Sequence, residues 1–150
     1  MVRAMNIIIR DAKISDSHTL VRLADQLGYK VKVEDVTKRL INLHSKQDER
    51  VIVAEDTNAA VIGWTTFRIT EHIHNDPYVE ISSFVVDQEF RRKGIGKTMM
   101  KEVEHWTKGK GLLTIRLSAN VTRIDAHKFY ETIGFKRIKQ QFAFRKDLSI

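Results

Sequence analysis

Eight consecutive residues, Arg91-Arg92-Lys93-Gly94-Ile95-Gly96-Lys97-Thr98, carry the clearest chemistry in the chain. They connect a strand-like run, Val79 to Val86, to a helix-like run that opens at Gly94. The first turn of a helix has backbone N–H groups without internal partners, and the helix dipole adds partial positive charge there. Glycines allow a phosphate to approach the backbone closely. With Arg91, Arg92, Lys93 and Lys97 around the same spot, the segment reads as an anion site suited to a pyrophosphate. Taken alone it also fits a basic helix start that binds nothing. Two nucleotide motifs fail at single positions. A P-loop ending in Gly96-Lys97-Thr98 needs glycine at position 91, which is arginine, and a dinucleotide fingerprint needs glycine at position 99, which is methionine.

Arg91-Arg92-Lys93-Gly94-Ile95-Gly96 resembles the Gln/Arg-x-x-Gly-x-Gly/Ala segment of the GNAT superfamily of N-acetyltransferases. Downstream, Ala126-His127-Lys128-Phe129-Tyr130-Glu131-Thr132-Ile133-Gly134-Phe135 is similar to that family's Ala-x-x-Phe-Tyr-x-x-x-Gly-Phe segment. The resemblance extends over most of residues 5–146 and is clearest over 79–135. It implies that the basic turn, with Ile95, Lys97 and Thr98 at the helix start, holds the pyrophosphate of coenzyme A. It further implies that Asn120 contacts the pantetheine arm. The backbone of Phe84, Val85 and Val86 then receives that arm where two central strands splay, and one N–H polarises the thioester carbonyl. Arg92 departs from the family, many of whose members have glycine there.

Acetylation of an amine poses two proton problems. An alkyl ammonium has a pKa of about 10.4, so a base must remove its proton, and the departing thiolate must gain one. Glu80, a carboxylate in an otherwise apolar strand, stands where the family's histone-acetylating branch has its catalytic glutamate, and is the expected base or a substrate contact. A salt bridge to a basic residue is the alternative for Glu80. Tyr130 matches the family tyrosine that faces the cofactor sulfur and is the expected acid; an ordinary core tyrosine is the alternative. Strict strand alternation would put Glu80, Ser82 and Phe84 on one face and Ile81, Ser83 and Val85 on the other. Trp64, Phe67, Glu71 and Tyr78 could line an acceptor pocket. His72 and His74 could form half of a metal site, but no third ligand has recognisable spacing, and no metal is expected.

The elements that must position these groups follow from periodicity and punctuation. Strands are expected at Asn6–Arg10, Val51–Glu55, Val61–Ile69, Val79–Val86 and Leu113–Ala119. Helices are expected after an N-cap at Ser15 and up to Gly28, at Val33–Leu43, at Gly94–Lys108 and at Arg123–Ile133. Glu71 to Tyr78 reads as a polar loop, and Phe135 to Arg145 as a closing strand or hairpin. The order predicts an α/β fold in one domain over residues 1–150; the resemblance makes it GNAT-like, with a mixed, mostly antiparallel sheet flanked by helices and splayed central strands.

Bulk properties bound the rest. The 150 residues contain no cysteine, which removes disulfides, thiolate metal sites and the commonest covalent acyl-transfer route. No apolar run reaches the roughly 20 residues of a membrane helix, and Met1 to Asn6 does not open a secretory leader, so a cytoplasmic location is expected. The net charge of +7 is uneven: residues 1–90 hold 11 basic and 14 acidic residues, and residues 91–150 hold 15 and 5. That asymmetry points to an anionic ligand for the second part and, through Glu71, Asp76 and Glu80, to a small cationic amine as acceptor. Acetyl-CoA is the expected co-substrate. Rival readings are acetylation of a protein N-terminus or lysine, an acyl-CoA sensor, and a basic nucleic-acid-binding module. The last lacks stacking aromatics among its basic residues. No membrane partner is expected, and a homodimer is left open.

Overall fold

In the computed structural model, which describes residues 6–150, the β-branched runs assemble into a five-stranded sheet. Met1 to Met5, read above as lacking a leader, lie outside the described residues. The strands stand side by side as β1 (Ile8–Asp11), β2 (Glu49–Glu55), β3 (Val61–His72), β4 (Asn75–Val86) and β5 (Ile115–Leu117). Neighbours from β1 to β4 are antiparallel, and β5 joins β4 in parallel. The helices are α1 (Ser17–Gln26), α2 (Val33–His44), α3 (Ile95–Gly109) and α4 (Ile124–Thr132). The chain divides into two compact units, one ending at Ser118 and one running from Ala119 to Ile150, so α4 belongs to the second. The expected mixed, mostly antiparallel sheet is observed.

Two apolar layers cover the sheet. On one face, Leu20 and Leu23 of α1 and Leu40 of α2 form a buried cluster with Val51, Val53, Val61 and Val85, and Trp64 packs at its margin. Full burial of a leucine or valine contributes about 1.5–3 kcal/mol, so this cluster fixes where α1 lies. On the other face, α3 buries Ile95, Met99, Met100 and Val103, one side of a helix. There Trp106 meets the fully buried Phe67 edge-on, with centroids 5.1 Å apart. A Cβ on Gly63 would come within 2.9 Å of Met99 Sδ and 3.1 Å of the Val85 carbonyl, so a bare backbone lets α3 rest on β3.

Strand β4 does not alternate uniformly. Thr66 pairs with Ser83, but Phe67 pairs with Ile81, so Ser82 is an extra residue in a β-bulge. The expected faces of β4 are corrected accordingly. Glu80, Ser83 and Val85 share the face of Arg68, Thr66 and Trp64, while Ile81, Phe84 and Val86 share the face of Phe67, Thr65 and Gly63. Beyond the pair Ile81–Leu117 no strand among the described residues is registered on the β5 side of β4, which is the expected splay.

Three further expectations are corrected. Glu71 to Tyr78 is not a loop: β3 and β4 run on until only residues 73 and 74 separate them. Residues 71–77 are all exposed, so they show no buried–exposed alternation to read. A short 3-10 turn, Ile14–Asp16, precedes α1, so Asp16 rather than Ser15 stands at the helix start. Residues 136–150 form no strand or helix among the described residues, and Phe142 and Phe144 are 89% and 95% exposed. An extended segment becomes a strand only through ladder hydrogen bonds, and these residues make none.

Candidate active site

The strand–turn–helix from β4 to α3 brings eleven of the expected binding residues into one continuous stretch. Phe84, Val85 and Val86 end β4; Arg91, Arg92, Lys93 and Gly94 form the turn; Ile95, Gly96, Lys97 and Thr98 open α3. Gly94 adopts a left-handed φ of 79° at the N-cap, where a Cβ would be strained, and it offers no side chain to the helix. The N–H groups of the first turn are therefore left for another acceptor. The Gly94 carbonyl is not: it receives the Thr98 amide and the Thr98 hydroxyl, each at 3.0 Å. Ile95 is buried, so only its backbone can face a ligand. Arg91, Arg92, Lys93 and Lys97 are exposed around the turn. Arg91 Nε donates to the Val86 carbonyl at 3.2 Å, and Lys93 lies over the Phe90 ring at 5.3 Å.

Arg92 has a φ of 64°, a conformation that costs an L-residue roughly 1–2 kcal/mol. This is the position where the resembled family often has glycine, and the strained backbone supplies the reason. The sequence shows the extra charge but not the strain.

The turn is anchored from below by Asp87, which sequence reasoning passed over. Its buried carboxylate receives Arg22 Nη1 of α1 at 2.7 Å, Gln26 Nε2 at 3.3 Å and the Glu89 amide at 3.2 Å. Burial pushes the Asp87 carboxyl up, but hydrogen bonds from Arg22, Glu89 and Gln26 and the Arg22 charge outweigh it and hold the pKa below the ordinary aspartate value. The Gln88 amide donates to Gln26 Oε1 at 2.9 Å, and the Asp87 amide to the Ile62 carbonyl at 2.8 Å. A polar residue between an apolar strand and a basic turn was the available signal.

Glu80 faces the same side of the sheet as α1 and α2, beyond the apolar cluster, and receives Arg68 Nη2 at 3.0 Å from the facing strand. The basic partner weighed as an alternative for Glu80 is thus present. Phe67 is core, not pocket lining. Trp64 donates to Thr66 Oγ1 at 3.0 Å and packs at the margin of the α1–α2 cluster. Tyr78 is buried, with its hydroxyl 3.1 Å from His72 Nε2, while Glu71 is exposed. His72 and His74 stack at 5.1 Å, and no group of three metal-binding side chains occurs among the described residues.

Asn120 and Tyr130 lie in the second unit. Asn120 Oδ1 accepts the Thr122 amide at 3.0 Å and the Thr122 hydroxyl at 2.9 Å, and its carbonyl lies 2.8 Å from His127 Nε2. Tyr130 is buried, beside Phe129 at 5.4 Å and Phe135 at 5.7 Å between centroids. Burial raises its pKa above the ordinary tyrosine value, against a smaller lowering by Arg123, which keeps the phenol protonated. No helix among the described residues is long and apolar enough to cross a membrane.

Comparison with known proteins bears on this arrangement. The model of the acetyltransferase (GNAT) family matches residues 17–135. An aminoalkylphosphonate N-acetyltransferase from Salmonella typhimurium is 32% identical over 92 residues, covering 61% of this chain and 58% of that protein. The chain thus spans little more than half the length of that curated relative. An aminoglycoside 6'-N-acetyltransferase from Acinetobacter baumannii superposes with a TM-score of 0.84 at 18% identity, over 96% of this chain and 100% of the other. AAC(6')-Iy in complex with the bisubstrate analog CoA-S-monomethyl-acetylneamine does so with 0.83 at 17%, over 95% and 99%. At such identities these two structures show the shared fold.

Proposed function

The chain belongs to the GNAT acetyltransferase family, and on that premise we propose that it transfers an acetyl group from acetyl-CoA to a primary amine of a small molecule. The observation that carries the reading is the β4–α3 turn, where an uncapped helix start, a left-handed glycine and four exposed cations converge beside splayed strands. This donor set fits a pyrophosphate: N–H groups along one turn, cationic side chains around them, and no carboxylate capping the helix. The names of relatives and neighbours, which include aminoalkylphosphonate and aminoglycoside acetyltransferases, support a small amine as acceptor.

Acetyl-CoA supplies the acyl group as a thioester. Glu80, oriented by Arg68, takes the proton of the acceptor ammonium. The neutral amine then forms the N–C bond as the C–S bond breaks, directly and without an acyl-enzyme. Tyr130 gives its phenolic proton to the departing sulfur, and the second proton that the nitrogen sheds on becoming an amide restores the phenol. Backbone groups of Phe84, Val85 and Val86 hold the pantetheine arm and polarise the carbonyl, and Asn120 contacts the same arm.

The acceptor is cationic at its amine. Charge summed over residues 1–90 does not describe the surface it meets, because Glu71 and Asp76 are exposed near the hairpin tip and Glu80 is matched by Arg68. The test is free-thiol release from acetyl-CoA across a panel of small amines and lysine peptides. Release with small amines supports the reading; release only with peptides, or with none, overturns it.

A further inference from the structure

Between the apolar cluster and the hairpin tip, the α1–α2 face of the sheet carries a row of alternating charge. Register places Glu49 of β2 opposite Arg68 of β3, Arg68 opposite Glu80 of β4, and Glu80 opposite Arg116 of β5. The other three members are matched: Arg68 donates to Glu80, and Glu49 has Lys46 at 3.6 Å. Arg116 ends the row with no carboxylate at ion-pair distance among the described residues. Its guanidinium lies over the buried Tyr78 ring, 4.7 Å from the centroid. Stacking on a ring holds the guanidinium plane and leaves its N–H edges for a planar or tetrahedral oxyanion.

Two hydroxyls flank this row on the same face. Ser83 pairs with Thr66 on the Val85 side of the Arg68–Glu80 pair, and Thr70 pairs with Tyr78 on the hairpin side. Among the described residues, Ser83 Oγ and Thr70 Oγ1 are buried without a hydrogen-bond partner. Orphaned buried hydroxyls are costly, and these two mark both flanks of the row as polar positions without an internal partner.

We propose that the acceptor carries an acid group in addition to its amine, and that Arg116 is the specificity residue that binds it. This rests on the acetyl-transfer reading only for placing the amine at Glu80. Adjacent strands lie about 4.8 Å apart, so an ammonium at Glu80 and an oxyanion at Arg116 suit a short amino acid or amino phosphate. A second ammonium in place of the acid would face Arg116 as a like charge.

The test is calorimetric binding to the CoA-saturated protein. β-Alanine and O-phosphoethanolamine are the acid-bearing probes, and propylamine and putrescine are the controls. At least one acid-bearing amine should bind about tenfold tighter than propylamine, and putrescine no tighter than propylamine. Arg116→Gln should erase that preference, and Arg116→Lys, which keeps the charge, should retain part of it. Should R116Q not fold, the R116K variant and the wild-type ranking still decide. Equal binding of propylamine, tighter binding of putrescine, or an unchanged preference in R116Q would overturn the proposal. Thiol release followed in parallel separates the two readings. Preferential binding without transfer sinks the acetyltransferase reading alone, and transfer without the preference sinks this one alone.

Discussion

Arg68 donates to Glu80 at 3.0 Å from directly across the β3–β4 pair, so the proposed base is oriented before any acceptor arrives. Removing the charge without changing the shape isolates its role. Glu80→Gln should lower kcat/KM by about 10²–10⁴-fold near neutral pH, the usual range for a general base. The loss should shrink as the pH approaches about 10.4, where the amine is already neutral. A pH–rate profile checks this; an equal loss at every pH would mean that Glu80 positions the acceptor instead.

Tyr130→Phe should lower kcat by about 10²-fold and leave the Michaelis constant for acetyl-CoA nearly unchanged, since the phenolic proton is needed in the transition state. Burial raises the pKa of this tyrosine, so the acid stays protonated through the ordinary tyrosine range of about 10. The alkaline fall in wild-type rate should therefore lie above that value. Steady-state kinetics from pH 7 to 11 decide it.

Asp87 makes the phosphate turn acid-sensitive. Its folded-state pKa lies below the unfolded value, so its stabilisation is complete above about pH 4 and is lost as pH falls through the folded pKa. Asp87→Asn should cost about 1–2 kcal/mol at pH 7, a moderate figure because Arg22 is itself half exposed. The variant should also lose part of the wild-type decline in stability between pH 5 and 3. Urea unfolding at several pH values provides the comparison, and an N variant as stable as wild type at pH 7 would remove Asp87 from its anchoring role.

Arg92 and Gly94 should respond in opposite senses. Arg92→Gly relieves a left-handed φ of 64° and should raise stability by about 1 kcal/mol while weakening CoA binding. Gly94→Asp introduces strain at a φ of 79° and a negative charge at the helix start. It should abolish the stabilisation by CoA, which for wild type at 100 times the dissociation constant is about 2.7 kcal/mol. Thermal melts with and without CoA read both effects.

The sequence was most legible where local chemistry and architecture coincide. Val85 to Thr98 combines a strand end, two glycines and four cations, and each feature survives folding unchanged. It was least legible where the decisive partner is remote. Asp87 is explained by Arg22, 65 positions earlier, and Arg116 by the register of β5 against β4. The strand character of residues 71–77 was hidden because all seven are exposed, leaving no period to detect. In residues 136–145 the opposite happened: apolar residues at Ile138, Phe142 and Phe144 imitate a strand that has no ladder partner among the described residues.

The extra residue at Ser82 has a consequence for how β4 can vary. Before it, the even position Glu80 faces the polar row while odd positions Val79 and Ile81 are buried; after it, the odd position Ser83 faces that row and Phe84 is buried. A saturation-mutagenesis profile along β4 should therefore show a phase reversal, with a polar side chain tolerated at 80 and 83 but not at 79, 81 or 84. Deleting Ser82 would remove the bulge and leave Glu80, Ser83 and Val85 on one face in unbroken alternation, with Ile81 and Phe84 on the other. A one-residue deletion is therefore better tolerated at Ser82 than at its neighbours in the strand, where it would exchange the faces of the residues beyond it.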